Sequence, residues 1–72
     1  MQLQTFPNGN KSDGRWIDIV IEPHFISFYF KNQKDYFYSF LKEDWDIQMI
    51  IHMRLKRWFT TEMEDYVNQQ TK

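Results

Sequence analysis

The chain has 72 residues, no cysteine, a formal net charge of -1 and an aromatic content of 19%. That length permits one domain over residues 1 to 72, and such a domain buries only about 60% of the surface its unfolded chain exposes. Disulfides and thiolate metal sites are excluded, a near-neutral charge gives no global pull toward nucleic acid or anionic lipid, and stability must come from aromatic packing or a partner chain.

The opening MQLQTF alternates Leu3 and Thr5 with Gln2, Gln4 and Phe6, compatible with a short edge strand. PNGNKSDG, residues 7 to 14, concentrates turn-forming residues and reads as a loop, a long hairpin connection. RWIDIVIE, residues 15 to 22, is the clearest strand, with Ile17, Ile19 and Ile21 on one face and Trp16, Asp18, Val20 and Glu22 on the other. Pro23 ends it. HFISFYFK, residues 24 to 31, reads as the next strand, setting Ile26, Phe28 and Phe30 opposite Phe25, Ser27, Tyr29 and Lys31; residues 31 to 35 supply a polar turn.

YFYSFLK, residues 36 to 42, fits two readings. Aromatic richness favours a strand, whereas Asp35 as N-cap with Phe37, Phe40 and Leu41 at helical spacing favours a helix. β-propensity tips the balance toward a strand. WDIQMIIHMRLKRWF, residues 45 to 59, is predicted to be one helix, with Asp44 as N-cap and Glu43 and Asp46 placed well against the helix dipole. Thr60 and Thr61 interrupt it, and Thr61 with Glu64 matches a capping box, so the chain bends or restarts there and runs to about Asn68. Residues 69 to 72 are expected to fray. The order of strands then helix predicts an α+β fold: an antiparallel sheet of three or four strands followed by a C-terminal helix packed on one face.

At helical spacing, Ile47, Ile51, Leu55, Trp58 and Phe59 form one stripe, expected against the sheet, and Trp45, Met49, Met53 and Met63 form a second beside it. The second stripe exceeds what a small sheet covers and needs another cover, a second copy, a protein partner or the N-terminal segment folded over it; a homodimer through this helix is weighed slightly above a generous core. Basic residues at its centre, Arg54 and Arg57 above all, find no acid at ion-pair spacing within the helix. The expected partner-binding residues are therefore Arg54, Arg57, Met49, Met53 and Trp45. An alternative surface is the outer sheet face, with Trp16, Phe25, Tyr29, Tyr36 and Tyr38 beside Lys31 and Lys42, which resembles a base-stacking platform for single-stranded nucleic acid. Asp18 and Glu22 on that face oppose phosphate binding.

Asp18 with Glu22, and Glu43 with Asp44 and Asp46, are the carboxylate groupings in reach of acid-base or cation chemistry, and solubilising a strand and opening a helix explain them better. His24 and His52 lie too far apart for a zinc spacing, and Ser12, Ser27 and Ser39 lack a nucleophile context. No catalysis, cofactor or metal is expected. The longest nearly apolar run, FISFYF, is far below the ~18 residues of a membrane span, and the N-terminus lacks a basic region followed by an apolar core, so a cytoplasmic protein off the membrane is expected. The function expected is that of a small non-catalytic protein that occupies a surface of a protein partner, as inhibitors and adaptors do, a role that suits a phage or mobile-element accessory factor. The alternative is a small single-stranded nucleic-acid-binding protein.

Overall fold

In the computed structural model, which describes residues 2 to 71 apart from the side chain of Ile51, four strands form one antiparallel sheet in sequence order. They are β1 (Gln2–Pro7), β2 (Trp16–Ile21), β3 (Phe25–Phe30) and β4 (Tyr38–Leu41). Two helices follow, α1 (Trp45–Ile51) and α2 (Thr61–Thr71), with 3-10 turns at Lys42–Asp44 and Met53–Leu55. The α+β fold of a small sheet followed by a C-terminal helix is thus what the chain adopts. Residues 36 to 42 resolve to a strand over Tyr38–Leu41, because pairing with β3 satisfies their backbone where an isolated helical turn would not.

Strand alternation decides what is inside. Ile17, Ile19 and Ile21 of β2, Ile26 and Phe28 of β3, Phe40 of β4 and Phe6 of β1 are buried on one face, joined there by Trp45, Met53, Met63 and Val67. The layer over that face has two parts. Tyr66 of α2 sets its ring 5.4 Å from Phe6 on β1, while Trp45 stacks on Phe40 at 5.7 Å and Tyr38 donates to Gln48 at 2.7 Å over β4. The Trp45 indole N–H donates to the Asn68 carboxamide at 2.7 Å and ties the two parts together.

The single helix expected over residues 45 to 59 does not form. α1 ends at Ile51, His52 takes φ −121°, and Lys56 is extended at ψ 124°. The reason is geometric. Met49 and Trp58 are nine residues apart, about 180° around a continuous helix at 100° per residue, so only one of them could face the sheet. Breaking the helix lets both sides in: Met53 is fully buried, and Trp58 and Phe59 reach the Phe28 ring at 5.1 and 6.3 Å. Each helical hydrogen bond given up is worth about 1 kcal/mol net, and burying a Phe-sized side chain contributes about 1.5–3 kcal/mol, so packing wins. The stripe expected against the sheet is accordingly split. Ile47 and Leu55 point outward with Ile50, Trp58 and Phe59 point inward, and the Ile51 side chain lies outside the described residues.

The caps differ too. Asp44 precedes α1 but ends a 3-10 turn at φ −90°, ψ 6°, away from the extended backbone a side-chain cap requires, and makes no cap bond. Thr60, not Thr61, caps α2: its hydroxyl accepts from the Met63 N–H at 3.3 Å and its carbonyl from the Glu64 N–H at 3.0 Å. Helix α2 also continues where fraying was expected, to Thr71, whose hydroxyl donates to the Val67 carbonyl at 2.9 Å; Lys72 lies outside the described residues.

The 7 to 14 loop is tied down at Gly9, whose N–H donates to the Trp58 carbonyl at 3.0 Å. A Cβ at Gly9 would lie 2.8 Å from the Arg57 carbonyl oxygen and 2.9 Å from that of Trp58, whereas a Cβ at Gly14 meets nothing within 4 Å. Gly9→Ala is therefore expected to cost roughly 1–3 kcal/mol in urea denaturation, and Gly14→Ala less than about 0.5 kcal/mol. Equal midpoints would show that the loop does not dock on residues 57 and 58.

Candidate functional site

Helix breakage redistributes the residues first assigned to a partner. Trp45 is 3% exposed and Met53 0%, so both belong to the chain's own core, and Met49 packs partly buried against it. Arg54 and Arg57 remain exposed. Because the chain turns back at residues 52 to 60, Arg54 does find an acid, Glu64 of α2, at 3.7 Å; at that distance and exposure the pair contributes no more than about 1 kcal/mol. Arg57 makes no ion pair among the described residues. On the outside of this layer Ile47, Ile50 and Leu55 are left, Ile50 75% and Leu55 82% exposed.

The opposite sheet face is covered by no element of the described chain. The strand register arranges it in rows running across the sheet. Pro7 pairs with Trp16, whose carbonyl accepts from the Lys31 N–H at 2.8 Å. The next row is Thr5, Asp18 and Tyr29, and the Tyr36 ring meets Tyr29 edge-on at 6.4 Å. The third row, Leu3, Val20, Ser27 and Ser39, has the small residues, and the fourth holds Phe25 opposite Leu41, with Glu22 bonded to Phe25 through the hairpin. Leu3, Trp16, Phe25, Tyr36 and Leu41 are all exposed. Val20 and Ser27 are each only 6% exposed although nothing covers this face, so the flanking side chains close over them. The result is a trough with Ser27 and Ser39 as floor, their hydroxyls hydrogen-bonded at 3.0 Å, walled by Phe25, Tyr29, Tyr36 and Glu22, about 260 Å³ in volume.

Of the alternative sheet-face residues, Phe25, Tyr29 and Tyr36 line one trough, Trp16 and Lys31 lie at the other end of the face joined by a backbone hydrogen bond, and Tyr38 does not share the face. It pairs with Phe28 and faces the core, where burial raises its phenol above the ordinary value of 10. The open face carries two carboxylates, Asp18 and Glu22, with Lys31 at one end and Lys42 beside Phe25 and Leu41 at the other. The Asp18 carboxylate accepts from the Thr5 hydroxyl, and Glu22 makes no ion pair among the described residues. Arg15, at the head of β2, is spent elsewhere: it binds Asp13 at 2.6 Å, its hydrogen bonds drawing that carboxyl down to about 2, and lies over the Phe30 ring at 3.7 Å. Among the described residues no group of three or more His, Cys, Asp or Glu is placed to hold a metal ion, and no helix is long and apolar enough to cross a membrane.

The sequence pattern sets Ser27 on this face but gives it no role, and it does not single out Leu3, Ser39 or Leu41 as members of the surface. Ser27 shares its strand parity with Phe25 and Tyr29, and that was the available signal. Comparison with known proteins adds no analogy: no family model, no curated protein and no solved structure matches the chain.

Since Trp45 and Met53 serve the core, Met53→Ala is expected to cost about 2–5 kcal/mol and Trp45→Ala about 3–5 kcal/mol in chemical denaturation. Arg57→Ala should stay within about 0.5 kcal/mol of the parent. A Met53 variant as stable as the parent would return that residue to the surface.

Proposed function

We propose that this protein is a non-catalytic binding module that occupies a surface of a protein partner, and that the outer face of its sheet is the working surface. One observation carries the reading: five large apolar side chains, Leu3, Trp16, Phe25, Tyr36 and Leu41, stand exposed on a single uncovered face while the opposite face of the same sheet is filled. Aromatic side chains on a flat, rigid scaffold lose little entropy on binding and are the commonest anchors at protein interfaces. Asp18 and Glu22 on that face weigh against a phosphate backbone, and its two bordering lysines, Lys31 at the Trp16 end and Lys42 beside Phe25 and Leu41, stand at opposite ends. A protein partner is thus favoured over single-stranded nucleic acid.

Capture from a lysate of the source organism tests this. The parent should retain one stoichiometric protein, a Trp16→Asp/Phe25→Asp variant should bind it more than about tenfold more weakly, and Ile50→Asp should bind it as the parent does. The reverse pattern would move the site to the helices. Binding of labelled single strands that weakens steeply with salt would replace protein by nucleic acid as the partner.

Self-association is a separate proposal, supported by Ile47 and Ile50, neighbours at i and i+3 on the outer side of α1, and by Leu55. A domain this small gains stability from a second copy. Sedimentation at micromolar concentration is expected to give twice the 9.0 kDa chain mass, reduced to 9.0 kDa by Ile50→Glu. A parent protein that sediments as a monomer ends this proposal.

A further inference from the structure

We infer that the trough over Ser27 and Ser39 is a receptor for a cationic side chain of the partner protein, an arginine above all; the inference rests on the sheet face being the partner surface. Three kinds of group converge there. Phe25, Tyr29 and Tyr36 supply aromatic rings, Tyr29 and Tyr36 meeting edge-on. Glu22 supplies a carboxylate with no ion pair among the described residues. Ser27 and Ser39 share one hydrogen bond, which leaves lone pairs on both hydroxyls to accept others.

Each of these favours a cation. Ring faces carry the negative part of the aromatic quadrupole and attract a guanidinium or ammonium group. The chain uses the same attraction on its own account, with Arg15 over Phe30 and Lys56 over Tyr38 at 4.4 Å, but those contacts lie outside the trough. Among the described residues no cation of the chain stands over Phe25, Tyr29 or Tyr36; Lys42, beyond the Glu22 and Phe25 end, makes no ion pair with Glu22.

Chemistry selects among cations. Phe25 and Tyr29 stand four residues apart on β3, about 13 Å between their backbone positions, with buried Ser27 between them. A planar guanidinium stacks on a ring, forks toward a carboxylate and sheds water more readily than an ammonium group. A neutral polar side chain of the same shape would gain neither the ring attraction nor the charge of Glu22. A phosphate or carboxylate would meet that charge as repulsion.

The test uses the intact chain and a defined probe, N-acetyl-arginine methylamide, followed by amide chemical shifts. Shifts confined to residues 22, 25, 27, 29, 36 and 39 are expected, with about millimolar affinity as befits one side chain. The citrulline analogue, equal in shape and uncharged, should bind at least about tenfold more weakly. Glu22→Gln and Tyr36→Ala, both outside the core, should each weaken arginine binding by about threefold or more with the remaining spectrum unchanged. Equal binding of the two analogues, or arginine shifts scattered over the surface, would overturn the inference. Partner capture that depends on Trp16 and Phe25 but is indifferent to Glu22→Gln and Tyr36→Ala would overturn the inference alone. Capture indifferent to all four residues would overturn the sheet-face reading as well.

Discussion

The Phe28 ring is the point at which the fold is joined. It is fully buried at the centre of β3, and four aromatic side chains from two other segments meet it: Tyr38 and Phe40 of β4 at 6.1 and 6.0 Å, and Trp58 and Phe59 of the 52 to 60 connection at 5.1 and 6.3 Å. Trp58 extends the cluster to Phe37, which stacks on Phe30 at 4.1 Å, and Phe40 extends it to Trp45. A chain with no disulfide and a small core thereby concentrates its stabilisation in aromatic area, where each ring buries about 150 to 250 Å² and edge contacts add about 0.5–1.5 kcal/mol per pair. The course of residues 45 to 59 is set by what must reach this cluster, and α2 docks beside it through Tyr66 on Phe6 and Asn68 on Trp45.

That requirement explains both the helix break and the surface left over. A continuous helix through residues 45 to 59 would bring either Met49 or Trp58 to the sheet, and the chain instead spends a turn of regular structure to bring both sides in. The residues that would have made an outward helical stripe are absorbed, and the exposed aromatic surface lies on the other side of the molecule, on the open sheet. Arg54 is drawn toward Glu64 by the same change of direction. The exposed aromatic surface thus lies on the sheet rather than the helix, where aromatic side chains, a serine floor and one carboxylate line a trough.

Much of this was legible from residue order, for a physical reason. Strand β2 alternates Ile17, Ile19 and Ile21, and β3 continues the same face with Ile26 and Phe28; a period of two fixes both the element and its faces, which sets Trp16, Phe25 and Tyr29 on the other face. Tyr38 was not, because the phase of a strand depends on the turn before it, and pairing with Phe28 sets Tyr38 inward while Tyr36 remains outside the strand. Residues 45 to 59 misled because periodicity identifies stripes without saying which one is covered, and nothing local marks a break at His52 beyond the branched Ile50–Ile51 pair and the want of internal ion pairs. The trough was invisible because its lining joins β3 and β4 with Glu22 and Tyr36, which lie outside the strands.

The central claim is that residues 45 to 59 fold inward and leave the sheet face, not the helix, as the aromatic surface. The three tryptophans report on it directly through their indole N–H resonances in the presence of a soluble paramagnetic agent. Trp16 on the open face should broaden strongly, Trp58 should be partly protected, and Trp45, bonded to Asn68 in the core, should remain sharp. Broadening of Trp45 to the extent of Trp16 would contradict the account, because it would mean that the second helical stripe faces solvent after all.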